Sequence, residues 1–238
     1  MAGRSWFPTS LEGETIVLRR HVPGNLEAFR RWYRDPEVAR LARYQDGAMS
    51  IEEIDRFFHG RALSTDSLTM AIHVRGSDRL IGTCAFSQLD GDNGSVLYHI
   101  TIGERDAWGH GFGTEATRLM VDHAFGALAL HRVSLSVFEF NERAIRSYAS
   151  VGFVVEGRAR EAIWRDGRWW DEISMSVLEP EWRARHPGTP NPVPVNERAA
   201  SARAKATGPV ETAGGSRTRT SEWVQPQRRG LAARLLGR

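Results

Sequence analysis

The sequence predicts an α/β fold with a mixed, mostly antiparallel central sheet flanked by helices, followed by a disordered C-terminal tail. Runs of β-forming residues recur between about positions 13 and 178, and amphipathic helical patterns are interleaved with them. From about Pro187 the composition changes to Pro, Gly, Ser, Thr and Ala, which cannot bury enough apolar surface to order itself. The 238 residues suffice for one sizeable core and an appendage.

The first strand and the first helix are predicted near the beginning of the chain. GETIVLRR (13–20) is rich in β-forming residues and predicts a strand. An amphipathic helix led by Asn25 follows and extends to about Arg34. The stretch DPEVARLARYQDG (35–47) breaks this pattern, so no helix is predicted there.

A second helix and three antiparallel strands are predicted next. Ser50 and Glu53 form a capping box at the start of IEEIDRFFHGRAL (51–63). The turn segments GSD and DGDNG then separate runs of β-forming residues. The three predicted strands are LTMAIHVR (68–75), LIGTCAFSQL (80–89) and GSVLYHITIG (94–103).

The second half of the chain alternates helices and strands. TEATRLMVDHAFGAL (114–128) has a helical apolar stripe, and apolar residues alternate strictly in the strand HRVSLSVF (131–138). NERAIRSYASVGF (141–153) predicts a short helix that ends at Gly152, a C-cap glycine. Two long strands are predicted on either side of the turn RDGR (165–168). This order describes one mixed α/β layer structure.

Composition excludes several classes of protein. Residues 1–183 carry a net charge of −4 and residues 184–238 one of +7, so nucleic-acid binding is not expected of the folded part and is left open only for the tail. No apolar run is long enough to span a membrane, no signal peptide is recognised, and no His, Cys and carboxylate spacing predicts a metal site. The single cysteine, Cys84, is expected to be a small buried hydrophobe. A cytoplasmic protein without a membrane partner is the simplest expectation.

The glycine-rich stretch RDAWGHGFGTEATRL (105–119) leads directly into a helical pattern. Closely spaced glycines let the backbone approach a ligand, and the N–H groups that begin a helix bind anions. A P-loop is excluded because no Lys precedes Lys205. Gly111 to Ala116 fit the dinucleotide pattern GxGxxA, but the preceding strand ends near Gly103, too far away, and further βα units are missing. A nicotinamide enzyme is therefore disfavoured, and another phosphorylated cofactor is expected.

Three segments together carry a resemblance to a known family. In this order and at this spacing, IGERDAWGHGFGTEA (102–116), NERAIRSYASVGFVVEG (141–157) and RDGRWWDEISMSVLEPEW (165–182) resemble the GNAT N-acetyltransferase superfamily. The resemblance is strongest to its RimJ/RimL-like branch, which includes ribosomal-protein and polyamine acetyltransferases. It extends from about Glu12 to Trp182.

The resemblance implies a domain organisation and an activity. A GNAT-like acetyltransferase domain is expected at 12–184, between an N-terminal lead at 1–11 and a disordered basic tail at 185–238. The implied activity is transfer of an acetyl group from acetyl-CoA to a primary amine by direct attack. The acceptor is left open among a protein N-terminus, a polyamine and a small aminated molecule. A homodimer is compatible with the resemblance.

The resemblance also implies the residues that contact acetyl-CoA. The phosphate motif of the family falls on Trp108 to Gly113, with Trp108 in place of Gln or Arg, and His110 is expected to add charge. A bulge around 100–103 is expected to splay its strand from the strand 131–138 and to make room for pantetheine. An amide near Ile100 is expected to meet the thioester carbonyl. The implied cofactor contacts are Ile100, Ile102, Gly103, Gly109, His110, Gly111, Phe112, Gly113, Thr114, Asn141 and Tyr148.

The same resemblance implies roles for individual side chains at the site, and for each of them a purely structural role is the alternative. Tyr148 is implied as the general acid for the departing thiolate, since a Tyr with a pKa near 10 stays protonated; the alternative is packing on Phe153. Asn141 either contacts the cofactor or only caps its helix. Many relatives use a Glu base where Leu97 stands, so His99 becomes the nearest candidate base, in competition with a structural role.

A rival interpretation comes from a different class of protein. It is a non-catalytic acyl-CoA-binding sensor or scaffold, whose basic tail binds RNA, the ribosome or an acidic partner. Release of free thiol from acetyl-CoA in the presence of amines distinguishes the two.

Overall fold

The computed structural model describes residues 8–44, 47–63 and 68–189, which fold around one eight-stranded sheet. The predicted lead before position 8 and the predicted tail from position 190 lie outside the described residues. The strands are β1 (Ser10–Glu12), β2 (Ile16–Arg20), β3 (Leu68–Val74), β4 (Leu80–Asp90), β5 (Ser95–Ile102), β6 (Arg132–Phe138), β7 (Val154–Arg165) and β8 (Arg168–Leu178). The helices are α1 (Leu26–Arg34), α2 (Pro36–Ala42), α3 (Ile51–Phe57, extended by a π-helical turn at Phe58–Ala62), α4 (Phe112–Gly126), α5 (Glu142–Val151) and α6 (Glu179–Arg185).

The sheet is mixed and mostly antiparallel, with the strand order β1-β2-β3-β4-β5-β6-β8-β7. Among the described strands, β5 and β6 form the one parallel pair. The predicted fold class is therefore confirmed. None of the helices in the described ranges is long and apolar enough to cross a lipid bilayer.

Helix α2 corrects the sequence prediction, because the stretch 35–47 contains a helix rather than a simple break. Asp35 ends α1 as its C-cap and begins α2 as its N-cap. Its carboxylate accepts hydrogen bonds from the amides of Glu37 (2.8 Å) and Val38 (3.2 Å), and Pro36 takes the first helical position. An Asp N-cap followed by Pro is a helix start signal. The interruption of the helical pattern is therefore one residue long.

The two predicted helix starts in the first half have different outcomes. The Asn25 side chain does not cap α1; it is buried, in a 3-10 turn, and its amide nitrogen lies 3.1 Å from Nδ1 of His21. The capping box of Ser50 and Glu53 at α3 is confirmed, with both reciprocal hydrogen bonds present.

The elements of the second half lie where the sequence predicts them, except that the short helix α6 (Glu179–Arg185) after β8 is not predicted. Gly152 ends α5 in the left-handed conformation, with φ of 111°. The chain reverses between β7 and β8 at Asp166 and Gly167, which both have positive φ. Regular structure begins at Ser10 and ends at Arg185, slightly beyond both ends of the predicted 12–184 domain.

The sheet packs against helices on its two faces. On the α4 face, helices α4 and α5 cover apolar side chains such as Leu135 and Ile173. On the α1 face, helices α1, α2 and α3 form a second apolar cluster around Phe29. The buried His21 joins this cluster to the sheet, because its Nε2 lies 3.0 Å from the hydroxyl of Thr83 on β4.

The two parallel strands in the centre of the sheet separate along their length. They pair only from Ser95 opposite Arg132 to Leu97 opposite Ser134, and no strand of the described ranges pairs with the remainder of β5 on that side. β4 and β5 keep a regular register up to Ile102, and a bulge-like pairing follows at the end of the predicted stretch, where the amides of Gly103 (2.9 Å) and Glu104 (3.2 Å) both donate to the Ile81 carbonyl. A further irregularity lies between Ser87 and Asp90. Divergence of β6 from β5 therefore opens the gap.

Candidate active site

A cavity of about 370 Å³ lies at the gap between β5 and β6. Its walls come from the end of β5, the beginning of α4, helix α5 and helix α2. Since α5 lies on the α4 face and α2 on the α1 face, the cavity passes through the sheet. The predicted cofactor residues that line it are Ile100, Ile102, Gly109, Gly111, Phe112, Gly113, Thr114, Asn141 and Tyr148.

The glycine-rich turn before α4 forms one end of this cavity. Gly109 and Gly111 adopt the left-handed conformation, with φ of 82° and 84°. Within the described residues, no backbone amide from 109 to 114 donates a hydrogen bond to the protein. A row of available amides at the N-terminus of a 15-residue helix fits an anionic ligand such as a pyrophosphate.

The backbone of β5 presents two amides to the gap. The Gly103 amide donates to the Ile81 carbonyl on β4 (2.9 Å), so Ile102 belongs to a non-hydrogen-bonded pair with β4. Because such pairs alternate, the amides of Ile100 and Ile102 point away from β4, toward the gap. The prediction for Gly103 is wrong: its amide is already bonded, and its Cα lies against the ring of Trp32.

Trp108, which replaces the expected Gln or Arg, joins the turn to the gap. Its Nε1 donates to the Ile102 carbonyl at 2.7 Å. The Arg143 guanidinium, from the first turn of α5, lies 4.4 Å from the centre of the Trp108 ring in a cation–π contact. A cation therefore lies beside the available amides. The sequence patterns do not single out Arg143 or its neighbour on the cavity wall, Arg146, because exposed arginines are common on helices of this protein.

Helix α5 brings Asn141 and Tyr148 to the same wall. Asn141 caps the helix, accepting a hydrogen bond from the amide of Ala144 at 3.3 Å. The Tyr148 ring packs on Phe153, with centroids 5.9 Å apart, while its hydroxyl makes no hydrogen bond to another described residue. Burial raises the pKa of Tyr148 above its ordinary value, so the hydroxyl stays protonated at neutral pH.

The two predicted histidines lie outside the cavity wall. The exposed His110 ring tilts against Phe112, with centroids 5.9 Å apart, and His110 does not line the cavity, so its charge contribution to cofactor binding stays a prediction. His99 lies on the α1 face, with Nε2 2.6 Å from the hydroxyl of Ser87. Partial desolvation, and then the positive charge of Arg61, lower the pKa of His99, which keeps its imidazole neutral at pH 7.

Residues 15–154, more than half of the chain, match the model of the acetyltransferase (GNAT) domain family. The chain belongs to the GNAT acetyltransferases. It is 33% identical to a spermidine N(1)-acetyltransferase of Escherichia coli K12, over 74% of this chain and 87% of that protein. It is 28% identical to the uncharacterized N-acetyltransferase p20 of Bacillus licheniformis, over 73% of this chain and 98% of that protein.

A solved structure shares the fold of this GNAT acetyltransferase. The crystal structure of spermidine N-acetyltransferase from Vibrio cholerae in complex with CoA and spermine gives a TM-score of 0.64. Sequence identity is 21%, and the match covers 71% of this chain and 99% of that chain. At this identity the likeness shows the shared fold.

As a GNAT acetyltransferase, the protein is an enzyme that uses acetyl-CoA to acetylate an amine. The cavity suits this molecule: its amide-rich end and its arginines match a pyrophosphate, and the two β5 amides match the amide-bearing pantetheine arm. Cys84 is buried without a disulfide partner, and burial raises the pKa of its thiol, so it is the small buried hydrophobe that the sequence predicts.

Replacing Arg143 by Gln is expected to raise the KM for acetyl-CoA roughly three- to tenfold, because one exposed cation is lost beside the phosphate end of the cavity. Turnover at saturating acetyl-CoA should be nearly unchanged. Steady-state kinetics measures both values. The matched control is Arg160→Gln on the exposed edge of β7, and an equal change in the two variants would contradict a local role for Arg143.

Proposed function

We propose that this protein transfers the acetyl group of acetyl-CoA to a primary amine by direct attack in the gap between β5 and β6, and that it belongs to the RimJ/RimL-like branch. The observation that carries the proposal is a cavity that passes through the sheet, with available amides on its α4-face side. The branch assignment is supported by the segments 102–116, 141–157 and 165–182, and by relatedness to the E. coli spermidine N(1)-acetyltransferase.

The cofactor-binding residues in this proposal are distributed along the cavity. The amides of residues 109–114, with Arg143 nearby, bind the pyrophosphate. The Ile102 amide pairs with the pantetheine arm, and the Ile100 amide donates to the thioester carbonyl oxygen, where negative charge develops during attack. Asn141 keeps its capping role and borders the cofactor.

Tyr148 is the proposed general acid. Bound acetyl-CoA supplies a thioester, whose carbon–sulfur bond breaks as the amine nitrogen forms the new amide bond. Tyr148 lines the cavity, and its hydroxyl has no hydrogen-bond partner among the described residues and stays protonated, so it can donate its proton to the leaving sulfur. The same ring packs on Phe153, which holds it in place.

His99 is the proposed acceptor for the proton that the amine loses. It is the first residue on the α1 face after Leu97, where the pairing of β5 with β6 ends. An alkylamine with a pKa near 10.4 is mostly protonated at pH 7, whereas the lowered pKa of His99 leaves its imidazole neutral and able to take up a proton.

The pH dependence of turnover tests this role. Since His99 must be neutral to act, turnover at saturating substrates should fall as the pH drops through a value below the ordinary histidine pKa of about 6.5. His99→Gln should lower the plateau and remove this acid limb. A His99→Gln profile with the wild-type limb would exclude His99 as the proton acceptor and leave that role to water.

A thiol-release assay tests the proposed function as a whole. Purified protein is mixed with acetyl-CoA and a panel containing an alkylamine, a polyamine and a peptide with a free N-terminus, and the released CoA thiol is measured. We expect amine-dependent release with at least one acceptor and an acetylated product by mass spectrometry. Binding of acetyl-CoA without release for every amine would favour the non-catalytic sensor instead.

We also propose residues 12–184, with the short extensions to Ser10 and Arg185, as the catalytic domain. The packing at the C-terminal end supports this boundary. Trp182 of α6 is buried against Phe125 of α4, and its Nε1 donates to Asp122 at 2.6 Å. Helix α6 therefore belongs to the core of the domain.

A further inference from the structure

The α1 face of the sheet is open beside the gap. Because Val137 and Ile173 point into the core on the α4 face, their neighbours Ser136, Glu172 and Ser174 lie on the α1 face. Ser136 and Ser174 are exposed and Glu172 is half-buried. The cluster of α1, α2 and α3 thus leaves a polar surface of β6 and β8 accessible on this face, with β6 next to the gap.

One aromatic side chain crosses this surface. Tyr44 stands edge-on to Phe138, with ring centroids 5.3 Å apart, and its hydroxyl donates a hydrogen bond to the Glu172 carboxylate. Phe138 and Glu172 are direct partners in the register of β6 with β8. Ala42, shortly before Tyr44 in the chain, lines the cavity. The Tyr44–Glu172 pair therefore lies on the α1 face, next in the chain to the part of the cavity wall that α2 provides.

The position of Tyr44 is fixed by a buried arginine. Arg165, at the end of β7, is 2% exposed and donates to main-chain carbonyl oxygens of the segment that follows α2. A guanidinium that binds several carbonyls holds them in one geometry. The carbonyls are those of Arg40 (2.9 Å), Arg43 (3.0 Å) and Tyr44 (3.4 Å).

The charge of Glu172 is not balanced by a neighbouring cation. Across the described ranges, Glu172 takes part in no ion pair, and its hydrogen-bond partner, Tyr44, is neutral because desolvation and then the bond to Glu172 raise the tyrosine pKa. A half-buried carboxylate in this state attracts a cationic ligand. The nearby arginines are engaged elsewhere: Arg40 with Asp166 (2.8 Å), Arg158 with Glu139 (2.7 Å) and Asp171 (2.9 Å), and Arg168 over the Trp170 ring (3.3 Å).

We propose that Glu172, oriented by Tyr44, binds the second, non-reacting ammonium of a diamine or polyamine acceptor. This inference rests on the proposed function, since it takes the gap as the place of acetyl transfer. The reacting nitrogen has to be neutral for attack and so cannot be the group that stays on the carboxylate. Glu172 lies one strand beyond β6, and neighbouring strands are about 4.8 Å apart, so an amine with two nitrogens joined by a short alkyl chain can reach both positions.

Two substrates of nearly equal size provide the test, putrescine and butylamine, because only putrescine carries a second ammonium. We expect wild-type kcat/KM to be at least roughly tenfold higher for putrescine, the difference that one hydrogen bond to a charged group supplies. Glu172→Gln keeps the shape and an acceptor for Tyr44 but removes the charge. The substitution should remove most of the preference for putrescine by raising the KM for that substrate. It should leave kcat/KM for butylamine within about twofold of the wild-type value.

Asp92→Asn is the matched control, since it also removes one negative charge but lies in the turn at the far end of β5. This variant should keep the wild-type preference for putrescine. Calorimetry of putrescine binding in the presence of CoA adds a readout that does not depend on turnover, and binding should weaken roughly tenfold in Glu172→Gln alone.

Each remaining outcome decides against the inference. Equal losses with both amines in Glu172→Gln would make the residue structural, and an unchanged preference would exclude it from the acceptor site. A wild-type enzyme without preference for putrescine, or active only on a peptide N-terminus, would overturn the inference and leave the proposed function intact. Absence of thiol release with every amine would overturn the proposed function, and the inference with it.

Discussion

Replacing Tyr148 by Phe is expected to lower turnover by roughly 10- to 1,000-fold while acetyl-CoA affinity changes little. The variant keeps the ring that packs on Phe153 and removes only the hydroxyl of this cavity-lining residue. The loss should be partial, because a thiolate with a pKa near 8.5 can leave without assistance. Single-turnover rates with a working acceptor, together with calorimetric binding constants, provide the measurement.

Tyr98→Phe is the matched control for this experiment. Tyr98 is buried on β5, and its hydroxyl lies 3.2 Å from that of Thr117, so the substitution also removes a tyrosine hydroxyl but not one that lines the cavity. Its turnover should stay within about threefold of wild type. A wild-type rate for Tyr148→Phe would reduce Tyr148 to a packing residue. A large loss of affinity with unchanged chemistry would make it a contact of the pantetheine arm.

Replacing Gly113 by Val is expected to weaken acetyl-CoA binding by more than roughly tenfold without unfolding the domain. Gly113 lies in the first turn of α4, and a β-carbon there would be 3.5 Å from the Ile102 side chain, an ordinary contact. The two further methyl groups of Val would occupy the cavity beside the available amides. Helix propensities of Gly and Val differ by less than about 1 kcal/mol, so stability should hardly change.

Isothermal calorimetry with acetyl-CoA, and chemical denaturation of the same samples, test this expectation. Gly157→Val on β7 is the control, because a β-carbon there meets no atom within 4 Å and the site is remote from the cavity. Gly111 is a poorer site for this substitution, because any side chain would be strained at its φ of 84°. A loss of stability could then not be separated from a loss of acetyl-CoA affinity. Unchanged affinity in Gly113→Val would remove the turn from the cofactor site.

Local patterns in the sequence predict most of the fold. Alternation of apolar residues locates β6, the Ser50–Glu53 capping box locates α3, and Gly152 marks the end of α5. Helix α2 is missed because only one residue, Asp35, separates it from α1, and seven residues give too little periodicity to recognise a separate helix. The divergence of β5 from β6 depends on packing between elements far apart in the chain, which no local pattern records.

The candidate site is predictable where it depends on the backbone. Glycine spacing locates the turn at 109–114, because glycine is needed for its left-handed residues. Which β5 amides are available depends on the register with β4, and so Gly103 is predicted wrongly. The roles proposed for Arg143 and Glu172 depend on contacts with residues far away in the chain, which are Trp108 for Arg143 and Tyr44 for Glu172. A local sequence pattern does not record such contacts.

The passage of the cavity through the sheet also has a kinetic consequence. Under the proposed function the cofactor enters from the α4 face and the amine from the α1 face, so both can be bound at once and neither has to leave before the other arrives. Kinetics of a ternary complex follow, rather than a double displacement through an acetylated enzyme. The cavity walls on the two faces come from different parts of the chain, α4 and α5 on one side and α2 on the other. Changes in the choice of amine can therefore accumulate without altering the affinity for acetyl-CoA.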